Sequence, residues 1–236
     1  MSNQANQVSC DHCSLNTICF PRGLTRDEIS ELSALINVRK TLRRGDSICR
    51  QGSQFRGIFA IKSGVAKLIA DDRFGNEHIL RVLLPGELLG FDGLYDHKYH
   101  CSAVALDRLS YCELSANSMN DLFQNHPTLT RELFRHSSEK IKQDRELIVL
   151  STRSAEEKMA FFLIDLSDRM KKRGFSSAEF TLSLTRQEIG DHLGLAMETV
   201  SRLLKKFQQQ GLIVVNSKVI EITNISGLRS VSACYI

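Results

Sequence analysis

Cys10, Cys13 and Cys19 bring three thiols close together at Cys-x2-Cys-x5-Cys spacing. Thiolate is a soft ligand, suited to zinc, copper(I) and the irons of iron–sulfur clusters. Three ligands leave such a site one short, so a fourth must come from elsewhere in the chain. The remaining cysteines are Cys49, Cys101, Cys112 and Cys234. On spacing alone an iron–sulfur cluster and a tetrahedral zinc site fit equally, and His12 could replace one sulfur. A second chemistry lies near the other end. Glu198, Ser201 and Arg202 stand at i, i+3 and i+4 of a helical pattern and share one face. Arginine can bond guanine bidentately, glutamate can accept from cytosine, and serine can serve a base or a phosphate.

Both sets need elements to hold them. Thr185 with Glu188 makes a capping box for a helix whose Ile189 and Leu193 face inward. Gly194 permits a left-handed turn, and Val200, Leu203, Leu204 and Phe207 bury a second helix against the first. Apolar runs at 212–215 and 219–222 flank Asn216-Ser217 and predict a wing hairpin. The whole reads as a winged helix-turn-helix, with Ala196 a weak N-cap for the recognition helix.

Upstream, short apolar runs at 56–61, 65–70, 78–83 and 101–106 are punctuated by Gly45, Gly52, Gly64, Gly75, Gly86 and Gly90. That texture predicts a compact β-roll. Within it, Lys62-Ser63-Gly64-Val65 reads as a tight hairpin and Leu84-Pro85-Gly86-Glu87 as a turn. Cys49 and Cys101 read as small core residues, whereas Tyr95, His97, Tyr99 and His100 read as loop polarity. A helix opens at Thr25 with Glu28 three residues on, and Ile29, Leu32, Leu35 and Ile36 form its apolar stripe. Residues 117–150 predict a long helix capped by Asn117 or Ser118. Another follows Ser154 over 155–172, acidic at its start and basic at its end.

In the long helix Phe134, Ile141 and Ile148 recur every seven residues. Such a helix either lies on the β-roll or pairs with a copy of itself, and the heptad recurrence favours pairing. Asp144 points the same way, so two carboxylates would approach in a symmetric dimer and lose water, which opposes association. The seam is built to be marginal.

The chain has 236 residues, 42% hydrophobic and 25% charged, with a formal net charge of +4. These values describe an ordinary folded chain that tolerates a nucleic-acid partner without demanding one. From Ser151 onward there are 12 Lys and Arg against 9 Asp and Glu, so most of the basic excess is C-terminal. No apolar run approaches the roughly 18 residues that span a bilayer. Met1-Ser2-Asn3-Gln4 carries no basic and apolar leader. A cytoplasmic, reducing setting is therefore expected, where clustered cysteines bind metal or do redox chemistry. Seven cysteines also leave one over from any set of disulfides. No nucleophile elbow, phosphate-binding glycine loop or catalytic carboxylate pair appears, so the chain does not read as an enzyme.

Cysteine cluster, β-roll, long helix and winged helix-turn-helix, in that order, resemble the Crp/Fnr superfamily. Within it the chain is similar to the oxygen-responsive Fnr (fumarate and nitrate reduction) regulators over nearly its full length. The resemblance is carried by Cys10, Cys13, Cys19 and Cys112, by Leu89-Gly90-Phe91-Asp92, by Ile141-Lys142-x-Asp144 and by Glu198-Thr199-Val200-Ser201-Arg202. It implies an α+β chain in four parts. These are a cluster-binding segment over 1–22 and a β-roll sensory domain over 23–116, like those that bind cyclic nucleotides. A long dimerisation helix region follows over 117–152, then a winged helix-turn-helix over 153–236. It also implies that Cys10, Cys13, Cys19 and Cys112 hold a [4Fe–4S] cluster, which oxygen converts to [2Fe–2S] and then destroys. The cluster-loaded homodimer would pair through Phe134, Ile141, Asp144 and Ile148. It would read palindromic double-stranded DNA with TTGAT-like half-sites through Glu198, Ser201 and Arg202, and activate by touching RNA polymerase. Cyclic AMP is not the expected effector, because Cys101-Ser102-Ala103 lacks the arginine that would grip its phosphate beside the Gly86-Glu87 turn. The alternative is a Crp-like regulator of another small effector with a structural zinc on its N-terminal cysteines.

Overall fold

Three capping boxes start three of the helices. Thr25, Ser154 and Thr185 each accept from the amide three residues on, and the glutamate there returns to the cap's own amide. The structure is a computed structural model that describes residues 10–38 and 41–232, so Cys234 lies outside the described residues. Cys10–His12 forms a single 3-10 turn. Helix α1 (Arg26–Leu35) buries Ile29 and Leu32, and Ile36 begins strand β1 (Ile36–Val38) instead of extending the helix.

Strands β2 (Ser47–Cys49), β3 (Gly57–Ser63), β4 (Ala66–Asp71), β5 (Glu77–Leu83), β6 (Leu88–Leu89), β7 (Ser102–Ala105) and β8 (Ser110–Ser115) complete the roll. They form two four-stranded antiparallel sheets, ordered β1-β8-β3-β6 and β2-β7-β4-β5. Phe59, Ile61, Ala66, Leu83, Ala103 and Leu114 belong to one buried core.

The tight turn at 62–65 is not a hairpin. Strand β3 pairs with β6 and β8, while β4 pairs with β5 and β7, so the turn carries the chain from one sheet to the other. Val65 N donates to the Asp107 carboxylate at 2.8 Å, and a Cβ on Gly64 would lie 2.5 Å from the Arg108 carbonyl oxygen. Asp107 and Arg108 belong to the β7–β8 connection, which changes sheets beside it.

The helical stretch after the roll is two helices. Ser115, not Asn117 or Ser118, caps α2 (Ala116–Asn125) by accepting from Ser118 N. Pro127 then opens α3 (Pro127–Ser151), where its missing N–H is no loss. Helix α4 (Ala155–Lys172) follows its Ser154 cap. Strand β9 (Glu179–Thr181) precedes helices α5 (Arg186–Leu193) and α6 (Met197–Gln209). Strands β10 (Ile213–Asn216) and β11 (Val219–Ile222) form the wing hairpin, and β9 pairs with β11 to make a three-stranded sheet. A final helix, α7 (Ile225–Ser232), ties to α4 through a bidentate Arg229–Asp168 pair. Neither β9 nor α7 was expected from the sequence. The chain divides into two compact units, 1–140 and 141–236, with the division inside α3. No helix among the described residues is long and apolar enough to cross a membrane.

Tyr99 is structural, not loop polarity. It is 1% exposed, and its ring packs near Phe55 and Phe59. Its hydroxyl accepts from the amides of Arg56 and Gly57, at 3.0 and 3.1 Å, and donates to the Gly57 carbonyl at 2.8 Å. One side chain thereby satisfies the main chain where β3 begins. Tyr99→Phe strands these buried groups and should destabilise the β-roll by about 1–3 kcal/mol. Urea unfolding followed by circular dichroism checks this, since a first transition at the unchanged midpoint would contradict it.

Candidate metal centre and DNA interface

The cysteine segment is a chain of tight turns. Cys13 N donates to Cys10 O at 3.2 Å, Asn16 N to Cys13 O at 3.1 Å, and Cys19 N to Leu15 O at 2.9 Å. Leu15 and Phe20 are buried on either side of Ile18 and Cys19. Cys10 is pinned to α1, where its amide donates to Ser33 Oγ at 3.1 Å. Cys112 enters from β8, paired with Ala60 of β3 on one side and Val38 of β1 on the other.

The fold brings Cys10, Cys13, Cys19 and Cys112 close enough that a charge on a neighbouring sulfur raises the thiols of Cys10, Cys19 and Cys112. Burial is the main force raising the Cys10 and Cys19 thiols above their ordinary value. Burial likewise pushes Cys112 up to about 11, with the neighbouring cysteines adding to it, while the Lys62 ammonium pulls Cys10 and Cys112 down. These three sulfurs are therefore protonated at neutral pH, and a thiophilic centre must displace their protons. Among the described residues no three His, Cys, Asp or Glu side chains converge as placed on a single ion. The four thiols share a neighbourhood, not a common centre. As a donor set they suit an all-cysteine centre. His12 makes no third ligand in any such group.

Side chains not singled out in the sequence tie this segment down. His136 of α3 hydrogen-bonds the backbone of Cys19, and burial holds its imidazole below the ordinary value although Glu139 pulls it up. Arg22 meets Glu139 at 3.4 Å. Glu132 lies almost buried against Gly23. Polar residues at i, i+4 and i+7 on the helix face that also carries buried Leu129 and Leu133 were the available signal. Cys49 is buried as a core residue, with its thiol 3.9 Å from Cys101 O.

Around the Gly86 turn, the groups that could meet a small effector are engaged within the fold. Ile18 covers Gly86, whose added Cβ would lie 2.8 Å from Ile18 Cδ1. Glu87 accepts from Leu84 N at 3.3 Å, and Ser102 Oγ from Gln51 N at 2.9 Å.

In the C-terminal unit, α6 buries Val200, Leu203, Leu204 and Phe207 and leaves Glu198 and Arg202 exposed, with Ser201 half-buried between them. None of the three takes a hydrogen-bond or ion-pair partner among the described residues. Ala196 makes no side-chain cap, so the first amides of α6 stay open toward the same end. Gly194 ends α5 in the left-handed conformation at φ 64°. Gly190, unremarked in the sequence, is as necessary. Leu195 N donates to its carbonyl at 2.8 Å, and a Cβ there would lie 2.4 Å from Leu195 O.

Residues 157–231 match the Crp-like helix-turn-helix domain, and residues 39–126 match the cyclic nucleotide-binding domain. The chain is 39% identical to the transcriptional activator protein anr of Pseudomonas aeruginosa, over 92% of this chain and 89% of that protein. It is 35% identical to the fumarate and nitrate reduction regulatory protein of Salmonella typhimurium, over 95% and 90%. In fold it resembles FixK2 from Bradyrhizobium japonicum, with a TM-score of 0.77, 21% identity, and coverage of 85% of this chain and 99% of that one.

Gly190→Ala should force α5 and α6 apart at their turn. Loss of specific DNA binding is expected, with a lowered melting temperature for the C-terminal unit and the visible spectrum of any bound metal centre unchanged. Retained specific binding in a gel-shift titration would show that the turn absorbs the methyl group.

Proposed function

Since the chain belongs to the Crp/Fnr family of transcription regulators, and within it to the Fnr/Anr type, we propose that it controls genes of anaerobic growth through an oxygen-labile [4Fe–4S] cluster. Cys10, Cys13, Cys19 and Cys112 are the residues that would hold it. What supports this reading is that three cysteines of one turn-rich segment lie in the same neighbourhood as a fourth held in mid-sheet. When bound, the cluster supplies iron that oxygen can oxidise, so the order of the ligand segment becomes a function of oxygen. The chain's own residues do the rest.

On α3 the apolar residues fall into two sets. Leu129 and Leu133 are buried, whereas Phe134, Ile141 and Ile148 are 68%, 51% and 68% exposed. An apolar row at seven-residue spacing supports a second copy of the same helix as its partner. Asp144, exposed within that row, sets the cost, because two carboxylates must approach and lose water. A homodimer held so narrowly would form when the ligand segment is ordered and part when it is not. Pairing would set two α6 helices about 34 Å apart, one DNA turn, on a two-fold site with TTGAT-like half-sites. Glu198, Ser201 and Arg202 then read base edges, and contact with RNA polymerase follows in the cytoplasm.

The first test is purification without oxygen, with assay of iron, sulfide and zinc and absorption before and after air. Four irons and four sulfides per chain, with a spectrum that bleaches, are the expected result. Stoichiometric zinc and no visible absorption would overturn the sensing role and leave the DNA reader standing. At the other end, Arg202→Ala should weaken specific binding by about 1–3 kcal/mol while sparing most non-specific binding. Equal losses on both DNAs would make Arg202 a phosphate contact.

A further inference from the structure

The third cysteine of the cluster is tied to α3 through its main chain. The His136 ring lies within hydrogen-bonding reach of the Cys19 backbone, while its buried Nε2 has no partner, which leaves Nδ1 as the atom able to donate. The acceptor is the Cys19 carbonyl, whose second lone pair takes Arg22 N at 3.1 Å. Three residues along the helix, Glu139 takes the Arg22 guanidinium at 3.4 Å. Four residues back, Glu132, only 8% exposed, sets its carboxylate where a Cβ on Gly23 would lie 3.5 Å away. Phe20 belongs to the same core as Leu129 and Leu133. Cys19 and Arg22 thus have partners on one face of α3, and Gly23 lies beside a third residue of that face. At about 3.6 residues per turn, positions 132, 136 and 139 lie on the side of the helix away from 134, 141 and 148. On the helical phase of α3, the ligand segment meets one side and the apolar row falls on the other.

We propose that His136, braced by the Arg22–Glu139 ion pair, is the positioning residue that couples the Cys19 loop to the pairing helix. The inference rests on the reading of Cys19 as a ligand and of the apolar row as a dimer seam. Ligation fixes the aim of the Cys19 carbonyl, and His136 holds the N-terminal half of α3 to that aim. When the loop relaxes, the hydrogen bond and the ion pair lose their common geometry and the helix is released from it. The coupling is reciprocal, so a dimer also favours the ordered loop.

The test compares dimer affinity of cluster-loaded and cluster-free full-length protein, by sedimentation velocity without oxygen. Variants are His136→Leu, His136→Gln, Arg22→Glu, Glu139→Arg and the Arg22→Glu, Glu139→Arg pair. His136→Leu and each single charge variant should keep wild-type iron, sulfide and absorption but lose about tenfold of the gain in dimer affinity on loading, the size of an ordinary coupling. Gln at position 136 can still donate to the carbonyl, and it should retain most of the gain. The charge-swapped pair should recover it, with iron loading at the wild-type level in every variant. An undiminished gain in His136→Leu, with wild-type loading normal, would overturn the coupling alone. Loss of iron from His136→Leu in step with its loss of dimer would also overturn it, making the residue a support for the ligand loop. Wild-type protein that takes up no cluster, or gains nothing in dimer affinity on loading, would overturn the coupling together with the reading beneath it.

Discussion

A ligand segment of a few turns has too little apolar surface to hold a shape alone. Its geometry is borrowed from the core through Leu15 and Phe20, which are buried on either side of Ile18 and Cys19. Burying one such side chain contributes about 1.5–3 kcal/mol, while fixing each residue's backbone costs about 1–2 kcal/mol. Two anchors alone do not offset the ordering of the whole segment, so added bonds decide its order. Those bonds run from Cys10 to Ser33, from Cys19 to His136 and from Arg22 to Glu139. A site held this way responds to its own occupancy. Cys112 is the opposite case, locked between two strands before any ligand arrives. Three donors on a turn segment beside one donor fixed in a sheet would suit the proposed centre, because its loss would free the segment and leave the strand in place.

What was legible in the sequence was local. The boxes at Thr25 and Thr185 need only a residue and its neighbour three along, and both formed as read, while the helix expected after Ser154 starts there with a box of its own. Short apolar runs bounded by glycines placed β3, β4 and β5 to within a residue or two, since run and boundary are both local. Sheet membership was not local. The 62–65 turn looks like any hairpin until Asp107, more than forty residues away, claims the Val65 amide. Tyr99 was misread for the same reason, because its three hydrogen-bond partners all lie at Arg56 and Gly57. Strand β9 is three residues long and gains its identity only from β11.

The candidate site divides along the same line. Spacing marked Cys10, Cys13 and Cys19, whereas Cys112 stood out among four other cysteines only through resemblance. His136 and Glu132 read as an ordinary polar helix face, and nothing in a single chain shows that the ligand segment covers them. In the DNA reader the outward residues were plain because periodicity defines what is buried. Gly190 was not, since its reason is the Leu195 carbonyl that turns back against it.

On the proposed pairing, Asp144 and Phe134 act against each other on one strip of α3. A row of exposed Phe134, Ile141 and Ile148 without an opposing term would pair whether or not the ligand segment were ordered, and the protein would be permanently on. An opposing carboxylate alone would keep it permanently off. A ligand shifts a two-state balance only by its differential affinity for the two states, and moving from 1:99 to 99:1 takes about 5.5 kcal/mol. Neither a hydrogen bond to Cys19 nor one exposed ion pair is worth that much singly. The balance must therefore lie within a few kcal/mol of even before any ligand acts. In the proposed seam, a negative charge among the apolar residues would put it there.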